Sequence, residues 1–355
     1  MDVAIIGASG DCGKQIAVQL VAERVLSPTE RLQLVGRRGG NSERVLFGLR
    51  SDLSDAYAET APELDVALHP EEVVADIIVM AAGEAVPTSA TDAPSRDTLA
   101  THNLPVFHTY ARAIEKYGHG NEVVIVVTNP VELGVEVFSR YLGRHRVIGI
   151  GAYSDSLRFR REIASDVGVR RQLVHAFVVG EHGEQMVPLW SSMRIYGMDT
   201  EEMLAINQRL RGDRSVLQFP DEVQRAKLQV IAYLQQGLIR EAFEHVDRLS
   251  PDLRVMLKPY LTHLSGAKTA VATANVTVDL VRTLMDGREI VVAGQVRLDG
   301  EFYGIHTSVG APIVVDNSGW SQVVPIQLWE DEARLLMQSA AQVQRKLREW
   351  MKHGG

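Results

Sequence analysis

The chain opens with a short apolar strand that leads directly into a glycine-rich turn and then into a helix. The run Val3–Ile6 is followed by Gly7-Ala8-Ser9-Gly10-Asp11-Cys12-Gly13, a GxxGxxG pattern, and by the helical pattern Lys14–Glu23. Glycines spaced in this way permit a tight turn, close approach of the backbone to a pyrophosphate, and close packing of helix on strand. The helix N-terminus also presents free N–H groups to phosphate charge. We therefore predict a dinucleotide-binding fold in which every residue of this loop except Ala8 contacts the cofactor.

The end of the second predicted strand indicates which dinucleotide is bound. A carboxylate at this position binds the ribose hydroxyls of NAD and would repel the additional phosphate of NADP. Here the strand continues into Gly36, Arg37 and Arg38, so two guanidinium groups stand where the carboxylate is expected. Because a guanidinium donates two parallel hydrogen bonds to a phosphate, we predict that NADP is preferred, with NAD as the alternative. A solvated arginine pair in a surface loop is the competing interpretation.

Apolar runs alternate with helical patterns over the first 150 residues, which is typical of a doubly wound parallel sheet. The predicted strands are Val3–Ile6, Leu32–Val35, Ile77–Ala81, Val123–Thr128 and Val147–Ile150, and a further helix is predicted at Arg96–Tyr117. From Tyr153 onward the pattern changes to a long helix, strand-like runs at Leu173–Val179 and Glu289–Leu298, and more helix. We predict an α/β protein with a Rossmann-type doubly wound parallel sheet in residues 1–151, followed by an α+β catalytic domain in residues 152–355.

The segment from about Gly212 to His263 stands apart from this pattern. Apolar residues recur in it at three- and four-residue spacing, which predicts an amphipathic helix; they are Leu228, Ile231, Leu234 and Leu238. The pair Ser250-Pro251 is typical of an N-cap followed by proline at the first helical position. A helix packed on its own lobe is favoured here over a lid or a subunit contact.

Composition narrows the class of protein. A chain of 355 residues is long enough for two lobes. The net charge of −8 and the short basic runs, at residues 37–38 and 158–161, argue against a nucleic-acid surface. The single cysteine, Cys12, excludes an intramolecular disulfide and a cysteine-rich metal site. No basic leader precedes a long apolar stretch, so we expect neither a signal peptide nor a membrane span, and a cytoplasmic location.

A histidine lies between glycines just after the strand-like run at 173–179. The sequence reads Gly180-Glu181-His182-Gly183, and a histidine held in a tight turn can give or take a proton near neutral pH. A turn histidine with its ring in water is the simpler explanation of this motif alone. The other polar residues of the chain favour a catalytic one.

Four such residues fall at positions where a ligand could meet His182. Asp155 and Arg158 are three residues apart, so on a helix they project from one face. Asn129 follows a buried strand, at the edge where ligands of such sheets bind. Arg96 begins a helix after a loop of small residues, 83–95. A helix salt bridge, a turn asparagine and a solvated arginine would explain each one singly, but their joint occurrence indicates an active site.

These motifs resemble, in sequence order and over most of the chain, those of the lactate/malate dehydrogenase family. The glycine opening at residues 5–10, the NP turn at 128–131, the DSxRFR helix at 155–160 and the GEHG loop at 180–183 all follow the family pattern. The combination of DSxRFR and GEHG is highly specific. The strand end at Leu34–Arg38 and the run 48–53 (Gly-Leu-Arg-Ser-Asp-Leu) resemble the NADP-accepting malate dehydrogenases in particular.

The resemblance implies an oxidoreductase that transfers a hydride between a nicotinamide cofactor and a 2-hydroxy acid/2-oxo acid pair. His182 would then donate and remove the proton of the substrate oxygen, and Asp155 would fix the tautomer of its ring. Arg158 would bind the substrate carboxylate. Arg96, carried on a mobile loop, would close over the substrate and polarise its carbonyl.

The remaining roles also come from the resemblance. Asn129 would hold substrate and nicotinamide in register, Gly83 would contact the cofactor, and Thr269 would form part of the pocket wall. The partner is a small-molecule acid, and the family pattern implies a homodimer or homotetramer.

The sequence departs from the family in the loop 83–95, which is a few residues longer than usual. Malate dehydrogenases carry an arginine there for the second carboxylate and lactate dehydrogenases usually a glutamine; this loop has neither, and its charges are Glu84 and Asp92. Since an unpaired carboxylate is costly to desolvate, pyruvate or a neutral, larger 2-oxo acid suits the loop better than malate. A hydroxylated or amine-bearing side chain is also compatible with Thr88, Ser89 and Thr91.

Two other classes compete with this interpretation. NAD-dependent glycosidases share the dinucleotide domain but need a metal site with cysteine and histidine, and Cys12 lies inside the glycine loop. A non-catalytic NAD(P)-binding or redox-sensing protein on the same fold is the stronger alternative. It would have no use for a proton donor, His182, beside a carboxylate-binding Arg158.

Overall fold

The strands of both halves of the chain join in one eleven-stranded sheet in the computed structural model, which describes residues 1–84 and 95–352. The strands are β1 (Val3–Ile6), β2 (Arg31–Val35), β3 (Glu63–Ala67), β4 (Ile77–Met80), β5 (Val123–Val126), β6 (Val147–Gly149), β7 (Val174–Gly180), β8 (Met186–Ile195), β9 (Ile290–Arg297), β10 (Ser308–Asp316) and β11 (Gly319–Val323). Their order is β3-β2-β1-β4-β5-β6-β9-β10-β7-β8, and β11 pairs with β10 off this path.

Helices connect and cover these strands. They are α1 (Asp11–Ala22), α2 (Gly40–Ala56), α3 (Arg96–Tyr117), α4 (Val131–Leu142), α5 (Gly151–Val167), α6 (Thr200–Arg211), α7 (Phe219–Gln235), α8 (Ile239–Asp247), α9 (Pro251–Leu264), α10 (Ala270–Met285) and α11 (Glu330–Lys352). Within the described ranges, none of them combines the length and the apolar character needed to span a bilayer.

The first half confirms the predicted doubly wound parallel sheet. Strands β1 to β6 pair in parallel in the order 3-2-1-4-5-6. Strands β1, β4 and β5 are buried along their whole length, so they appear in sequence as continuous apolar runs. The five predicted strands are present with ends shifted by at most two residues, and α3 has the predicted bounds. The order reverses between β1 and β4, where ligands of such sheets bind.

The second half is α+β, as predicted, but several of its strands were not predicted. The runs expected at Leu173–Val179 and Glu289–Leu298 correspond to β7 and β9. Strand β8 carries Pro188, Ser191, Ser192 and Arg194, which interrupt any simple apolar pattern. In the first half β3 was missed for a related reason, because this edge strand has a single buried residue and no apolar run.

One residue pair links the two halves of the sheet. Gly149 of β6 pairs antiparallel with Gln295 of β9, and the fully buried Gln295 side chain accepts a hydrogen bond from the N–H of Ala152 at 2.8 Å. Helix α5 begins at Gly151, so the residues that follow this link lead directly into the predicted catalytic helix. The division into residues 1–151 and 152–355 remains a prediction.

Helix α7 lies in the segment expected to be helical, and the predicted apolar line is buried only in part. Leu228 is 68 % exposed, and Leu238 lies beyond the end of the helix. Leu234 is half-buried and extends the stripe of buried side chains that faces α8 and α9. The fully buried members of this stripe are Phe219, Val223, Ala226, Lys227 and Val230. The helix packs against α8 and α9 of its own lobe, and the preference for this role over a subunit contact stays a prediction. Ser250 is the N-cap residue of α9, with Pro251 at the first helical position, as predicted.

The contact between α1 and β1 yields a first test. A Cβ added to Gly13 would lie 2.3 Å from the carbonyl oxygen of Gly7, a backbone atom that cannot move aside cheaply. We expect Gly13→Ala to lower the free energy of unfolding by about 2 kcal/mol through overpacking. Gly48, in α2, is the matched control, because nothing lies within 4 Å of its added Cβ. Gly48→Ala should raise the stability by about 1 kcal/mol. Urea unfolding measures both, and equal stabilisation by the two substitutions would contradict the close packing of α1 on β1.

Candidate active site

A cavity of about 470 Å³, a size common for small-molecule sites, opens at the carboxyl ends of β1, β4 and β5. The predicted site residues that line it are Gly10, Asp11, Cys12, Gly83, Arg96 and Asn129 from the first half, and Asp155, Arg158, His182 and Thr269 from the second. The other predicted cofactor residues do not line it: Gly7, Ser9 and Gly13 lie deeper in the glycine loop, and Arg37 and Arg38 lie on the surface after β2.

The imidazole of His182 is held by a buried carboxylate. Its Nδ1 lies 2.7 Å from Oδ2 of Asp155, while the other oxygen, Oδ1, accepts a hydrogen bond from Nη1 of Arg158 at 2.8 Å. Burial favours the protonated acid, but His182 and Arg158 together outweigh burial and lower the pKa of Asp155 below its usual value. Because an ionised carboxylate only accepts hydrogen bonds, Nδ1 of His182 carries a proton and Nε2 is the nitrogen left for a ligand.

The DSxRFR stretch at the start of α5 explains how this geometry arises. Asp155 meets His182, and the next residue, Ser156, accepts a hydrogen bond from the N–H of Val178 at 2.9 Å, which ties α5 to β7. Phe159 packs edge-on against Trp190 in the core, with ring centroids 5.1 Å apart. Asp155, Ser156 and Phe159 therefore each have a partner on the β7–β8 hairpin that carries His182.

A glycine makes room for the ring of His182. The Cβ of any larger residue at Gly151 would lie 2.4 Å from Cγ of His182. The ring of His182 thus packs directly on the first residue of α5, four residues before Asp155. This close approach brings Nδ1 of His182 within hydrogen-bond distance of the carboxylate of Asp155.

Arg96 lies beside the same loop, but it is not carried on a loop itself. It is the first residue of α3, behind the N-cap Ser95, and its guanidinium forms ion pairs with Glu132 and Glu181 and donates to the carbonyl oxygen of His182. Arg96 therefore begins a helix, as predicted, and the further expectation that the loop itself carries it is corrected. The predicted substrate-closing loop spans residues 83–95. Its residues 85–94, which include Thr88, Ser89, Thr91 and Asp92, lie outside the described residues.

A buried asparagine that the sequence did not single out organises the edge of the cavity. Asn103 is fully buried in α3; its amide donates to the carbonyl oxygen of Asn129 at 2.7 Å and accepts from the N–H of Glu84 at 2.7 Å. Thr128 bonds the carbonyl oxygen of Ala82 at 2.9 Å. The only available signal was a polar residue on the apolar face of a predicted helix.

The glycine loop has the shape expected of a phosphate cradle. Gly7 has φ +89°, and its missing Cβ would lie 2.6 Å from the backbone of Ala82. Gly10 is the N-cap residue of α1, so the free N–H groups of that helix face the cavity. Asp11 forms an exposed ion pair with Lys268, and burial raises the pKa of the Cys12 thiol. The ion pair links the glycine loop with the segment before Thr269.

The surface after β2 carries two exposed guanidinium groups. Arg37 and Arg38 form no ion pair with the described part of the chain, residues 1–84 and 95–352. The backbone N–H of Arg37 donates to Oγ of Ser42 at 3.2 Å, and this hydroxyl lies 3.0 Å from Oγ of Ser9 in the glycine loop. Ser42, in the first turn of α2, thus connects the two predicted cofactor segments. The sequence reasoning missed it, and a serine at a helix start gave only a weak signal.

Helix α9 forms a wall of the cavity that was also missed. Its lining residues are Val255, Met256, Pro259, Tyr260 and His263. Behind this wall, the ammonium of Lys227 lies 4.5 Å from the centre of the Tyr260 ring and forms an ion pair with Glu184. Part of the segment 212–263 therefore lines the cavity.

The last helix supports the His182 loop from behind. Oγ of Ser339 accepts a hydrogen bond from the N–H of Glu181 at 2.9 Å, and Nζ of Lys346 lies 3.7 Å from the carboxylate of Glu181. Near the end of α11, the indole N–H of Trp350 donates to Asp97 at 2.7 Å. Helix α11 therefore contacts both the loop of His182 and the first turn of α3.

Comparison with known proteins gives matches along most of the chain. Residues 1–149 match the lactate/malate dehydrogenase NAD binding domain, and residues 154–237 match the lactate/malate dehydrogenase alpha/beta C-terminal domain. An L-2-hydroxycarboxylate dehydrogenase (NAD(P)(+)) of Methanocaldococcus jannaschii is 27 % identical over 350 residues, which cover 96 % of each chain. A malate dehydrogenase of Methanothermobacter marburgensis is 28 % identical over 349 residues, which cover 97 % of this chain and 95 % of that one.

Solved structures show the same fold. The lactate dehydrogenase of Cryptosporidium parvum, in complex with lactic acid and nicotinamide adenine dinucleotide, superposes with a TM-score of 0.75 at 21 % identity and covers 98 % of this chain and 97 % of its own. The malate dehydrogenase of the same organism gives a TM-score of 0.74 at 23 % identity, with 99 % of both chains covered.

The buried carboxylate of Asp155 predicts a pH-dependent stability. Its pKa is lowered in the folded chain, so its contribution is present above the ordinary aspartate pKa of about 3.9 and is lost as the pH falls below that value. We expect Asp155→Asn to lower the free energy of unfolding by roughly 2–4 kcal/mol at pH 7, since it leaves buried partners unpaired. Urea unfolding between pH 3 and pH 7 should show this difference shrinking in acid. Asp52→Asn, at an exposed position of α2, should show no such difference at any pH.

Proposed function

The chain belongs to the lactate/malate dehydrogenase family, and from this premise we propose that it is an NAD(P)-dependent dehydrogenase that interconverts 2-hydroxy acids and 2-oxo acids. The observation that carries the proposal is the 2.7 Å contact between His182 and Asp155, with Arg158 on the same carboxylate, in a cavity bordered by the glycine loop. A proton donor and a carboxylate-binding group thus face one space that a dinucleotide can reach.

The reaction divides between the cofactor and the side chains. When bound, the reduced nicotinamide supplies the hydride that the carbonyl carbon of the substrate accepts. Nε2 of His182 donates the proton to the carbonyl oxygen and removes it in the reverse direction. The ionised Asp155 stabilises the imidazolium that carries this proton. Arg158 has five N–H donors and uses one of them on Asp155, so a planar pair remains for the substrate carboxylate.

The residues around the glycine loop fit a dinucleotide. The backbone fills the space that a side chain at Gly7 or Gly13 would need, and the N-terminus of α1 opens into the cavity. A pyrophosphate at this position would meet free N–H groups and no side-chain obstruction. Asn129 and Gly83 line the cavity nearby and are proposed to hold the nicotinamide end.

The proposed cofactor preference is for NADP over NAD. It is supported by two exposed arginines, Arg37 and Arg38, at the strand end where the ribose is expected, beside the N-terminus of α2. The hydroxyl of Ser42 lies next to these arginines, because it accepts a hydrogen bond from the backbone N–H of Arg37. A 2′-phosphate would receive charge-assisted hydrogen bonds from this cluster.

The proposed substrate carries a neutral side chain. The lysine and arginine side chains in the described part of the cavity wall are Arg96, Arg158 and Lys268, and each is paired with a carboxylate. Residues 85–94 contain neither lysine nor arginine. Arg158 is proposed for the first carboxylate and Arg96 for the carbonyl oxygen. For a second carboxylate the described wall then leaves Lys268, which is already paired with Asp11. The apolar wall of Met186, Met256 and Pro259 favours an uncharged group.

We further propose a homodimer or homotetramer in the cytoplasm. Large apolar side chains such as Tyr196, Leu204 and Leu228 are more than 60 % exposed in the single chain, which supports self-association. The single cysteine is compatible with a reducing compartment.

The function is tested by following oxidation of NADPH and of NADH with a panel of 2-oxo acids. The panel runs from pyruvate through branched and hydroxylated acids to oxaloacetate. We expect brisk turnover of a neutral acid, and a loss of about 10²- to 10⁴-fold in kcat for His182→Asn with the cofactor Kd unchanged. His306→Asn, at a 62 % exposed side chain, should retain the parent rate. Tight cofactor binding without turnover of any acid would instead indicate a non-catalytic NAD(P)-binding protein, and a preference for oxaloacetate would contradict the neutral side chain.

The cofactor preference has its own test. Each charge-assisted hydrogen bond to phosphate is worth about 1.5–3 kcal/mol, so replacing Arg37 and Arg38 together by serine should weaken NADPH binding about 100-fold or more. The Kd for NADH should change less than about threefold. Replacing Arg334 and Arg345 together by serine, which removes two exposed arginines of α11, is the control for net charge. Equal losses for the two cofactors would show that the arginine pair does not read the 2′-phosphate.

A further inference from the structure

One carboxylate in the candidate site has contacts that none of the roles above uses. Glu132 is the second residue of α4, directly after the NP turn, and it is 1 % exposed. Its Oε1 accepts a hydrogen bond from the backbone N–H of His182 at 2.6 Å, and its Oε2 accepts one from Nη2 of Arg96 at 3.1 Å. A single side chain thus joins the loop of the proposed acid–base residue to the arginine proposed to polarise the substrate.

These contacts close a ring around the peptide unit of His182. The same Nη2 of Arg96 that bonds Glu132 also donates to the carbonyl oxygen of His182 at 2.8 Å. The backbone of His182 is therefore held on one side by Glu132 and on the other by Arg96, while its ring is held by Asp155. Both hydrogens of Nη2 are used, and one hydrogen of Nη1 goes to Glu181. Nε–H and the second Nη1–H are the donors left for a ligand.

The charges of this cluster balance. Arg96 and Lys346 are opposed by Glu132 and Glu181, and both carboxylates are almost fully buried. Burial is the largest influence on Glu132 and raises its pKa; Arg96 opposes this effect, and the neighbouring Glu181 adds to it. Without the charge of Glu132, one partly buried positive charge would be in excess beside the proposed substrate site.

Stability alone does not account for a carboxylate at this position. Burying an ion pair costs several kcal/mol per ion, and apolar replacements of such pairs are often as stable or more stable. The geometry of its two oxygens, each on a different group of the site, is what an apolar residue cannot supply.

We propose that Glu132 is a positioning residue for the reaction: it holds the guanidinium of Arg96 against the His182 loop, so that the carbonyl-polarising group and the proton donor keep one fixed mutual position. The proposal rests on the proposed function. Because the electrostatic effect of Arg96 depends on where its free N–H groups point, loosening its Nη2 contact slows the chemical step rather than substrate or cofactor binding.

Glu132→Gln separates the two contacts of this side chain. The amide oxygen can still accept from the N–H of His182, whereas the amide nitrogen cannot accept from Arg96. We expect kcat for the best 2-oxo acid to fall at least tenfold, while KM for that acid and Kd for NADPH change less than about threefold. The deuterium isotope effect on kcat, measured with 4-deuterated NADPH, should increase, because the chemical step becomes slower. A loss of folded enzyme would lower kcat without changing the isotope effect.

Glu136→Gln is the matched control on the same helix. Glu136 lies one turn after Glu132, is also buried, and pairs with Arg140 and Ser308 instead of with site residues. It should keep kcat within about twofold and the parent isotope effect. Thermal melting of both variants with NADPH establishes that they are folded to the same extent.

A double-mutant cycle keeps the proposal testable even if Glu132→Gln lowers stability. Arg96→Lys retains the charge but cannot bridge two carboxylates and a carbonyl oxygen as the guanidinium does. If Glu132 acts through Arg96, adding Glu132→Gln to Arg96→Lys should reduce kcat less than threefold further. A full tenfold loss in that background, an unchanged isotope effect, or a kcat equal to or above that of the parent would each overturn the positioning role. A parent protein without turnover would overturn the proposed function, and this role with it.

Discussion

The arrangement of the candidate site depends on one buried negative charge, that of Asp155. A carboxylate removed from water requires partners, and here one oxygen has the imidazole of His182 and the other the guanidinium of Arg158. The partners set the charge state of the acid, and the acid in turn sets the tautomer of the ring and the plane of the guanidinium. These two contacts therefore offset the free-energy cost of burying the carboxylate, and they also orient His182 and Arg158, the two groups proposed to meet the substrate.

This charge is positioned by elements from both halves of the chain. Helix α5 follows the last parallel strand, and the hairpin that carries His182 is fastened to α5 through Ser156 and to α11 through Ser339. Asn103 fixes the opposite side of the cavity by bonding the NP turn and the backbone of Glu84. Buried hydrogen bonds thus hold the elements that carry the proposed reacting groups. Such support lets a site keep its geometry when a ligand binds.

The parts of the fold that the sequence predicts are those with a local signal. Buried parallel strands such as β4 are continuous apolar runs, and the spacing of its three glycines identifies the glycine loop. The missed features depend on contacts distant in sequence: Glu132 and His182 are fifty positions apart, and nothing near Glu132 indicates that its carboxylate faces a distant loop. Helix α7 shows a second limit, since Leu228 fits the helical period as well as Val230 does but lies on the exposed face. The wall formed by Met256 and Tyr260 depends likewise on where α9 packs.

The contacts of α11 have a consequence for how the protein is made. The glycine loop and its sheet leave the ribosome early, whereas Ser339, Lys346 and Trp350, which bond the loop of His182 and the start of α3, are synthesised near the end. The proposed proton donor, His182, therefore acquires the support of α11 only after the residues of the glycine loop, of α3 and of its own loop have all been synthesised.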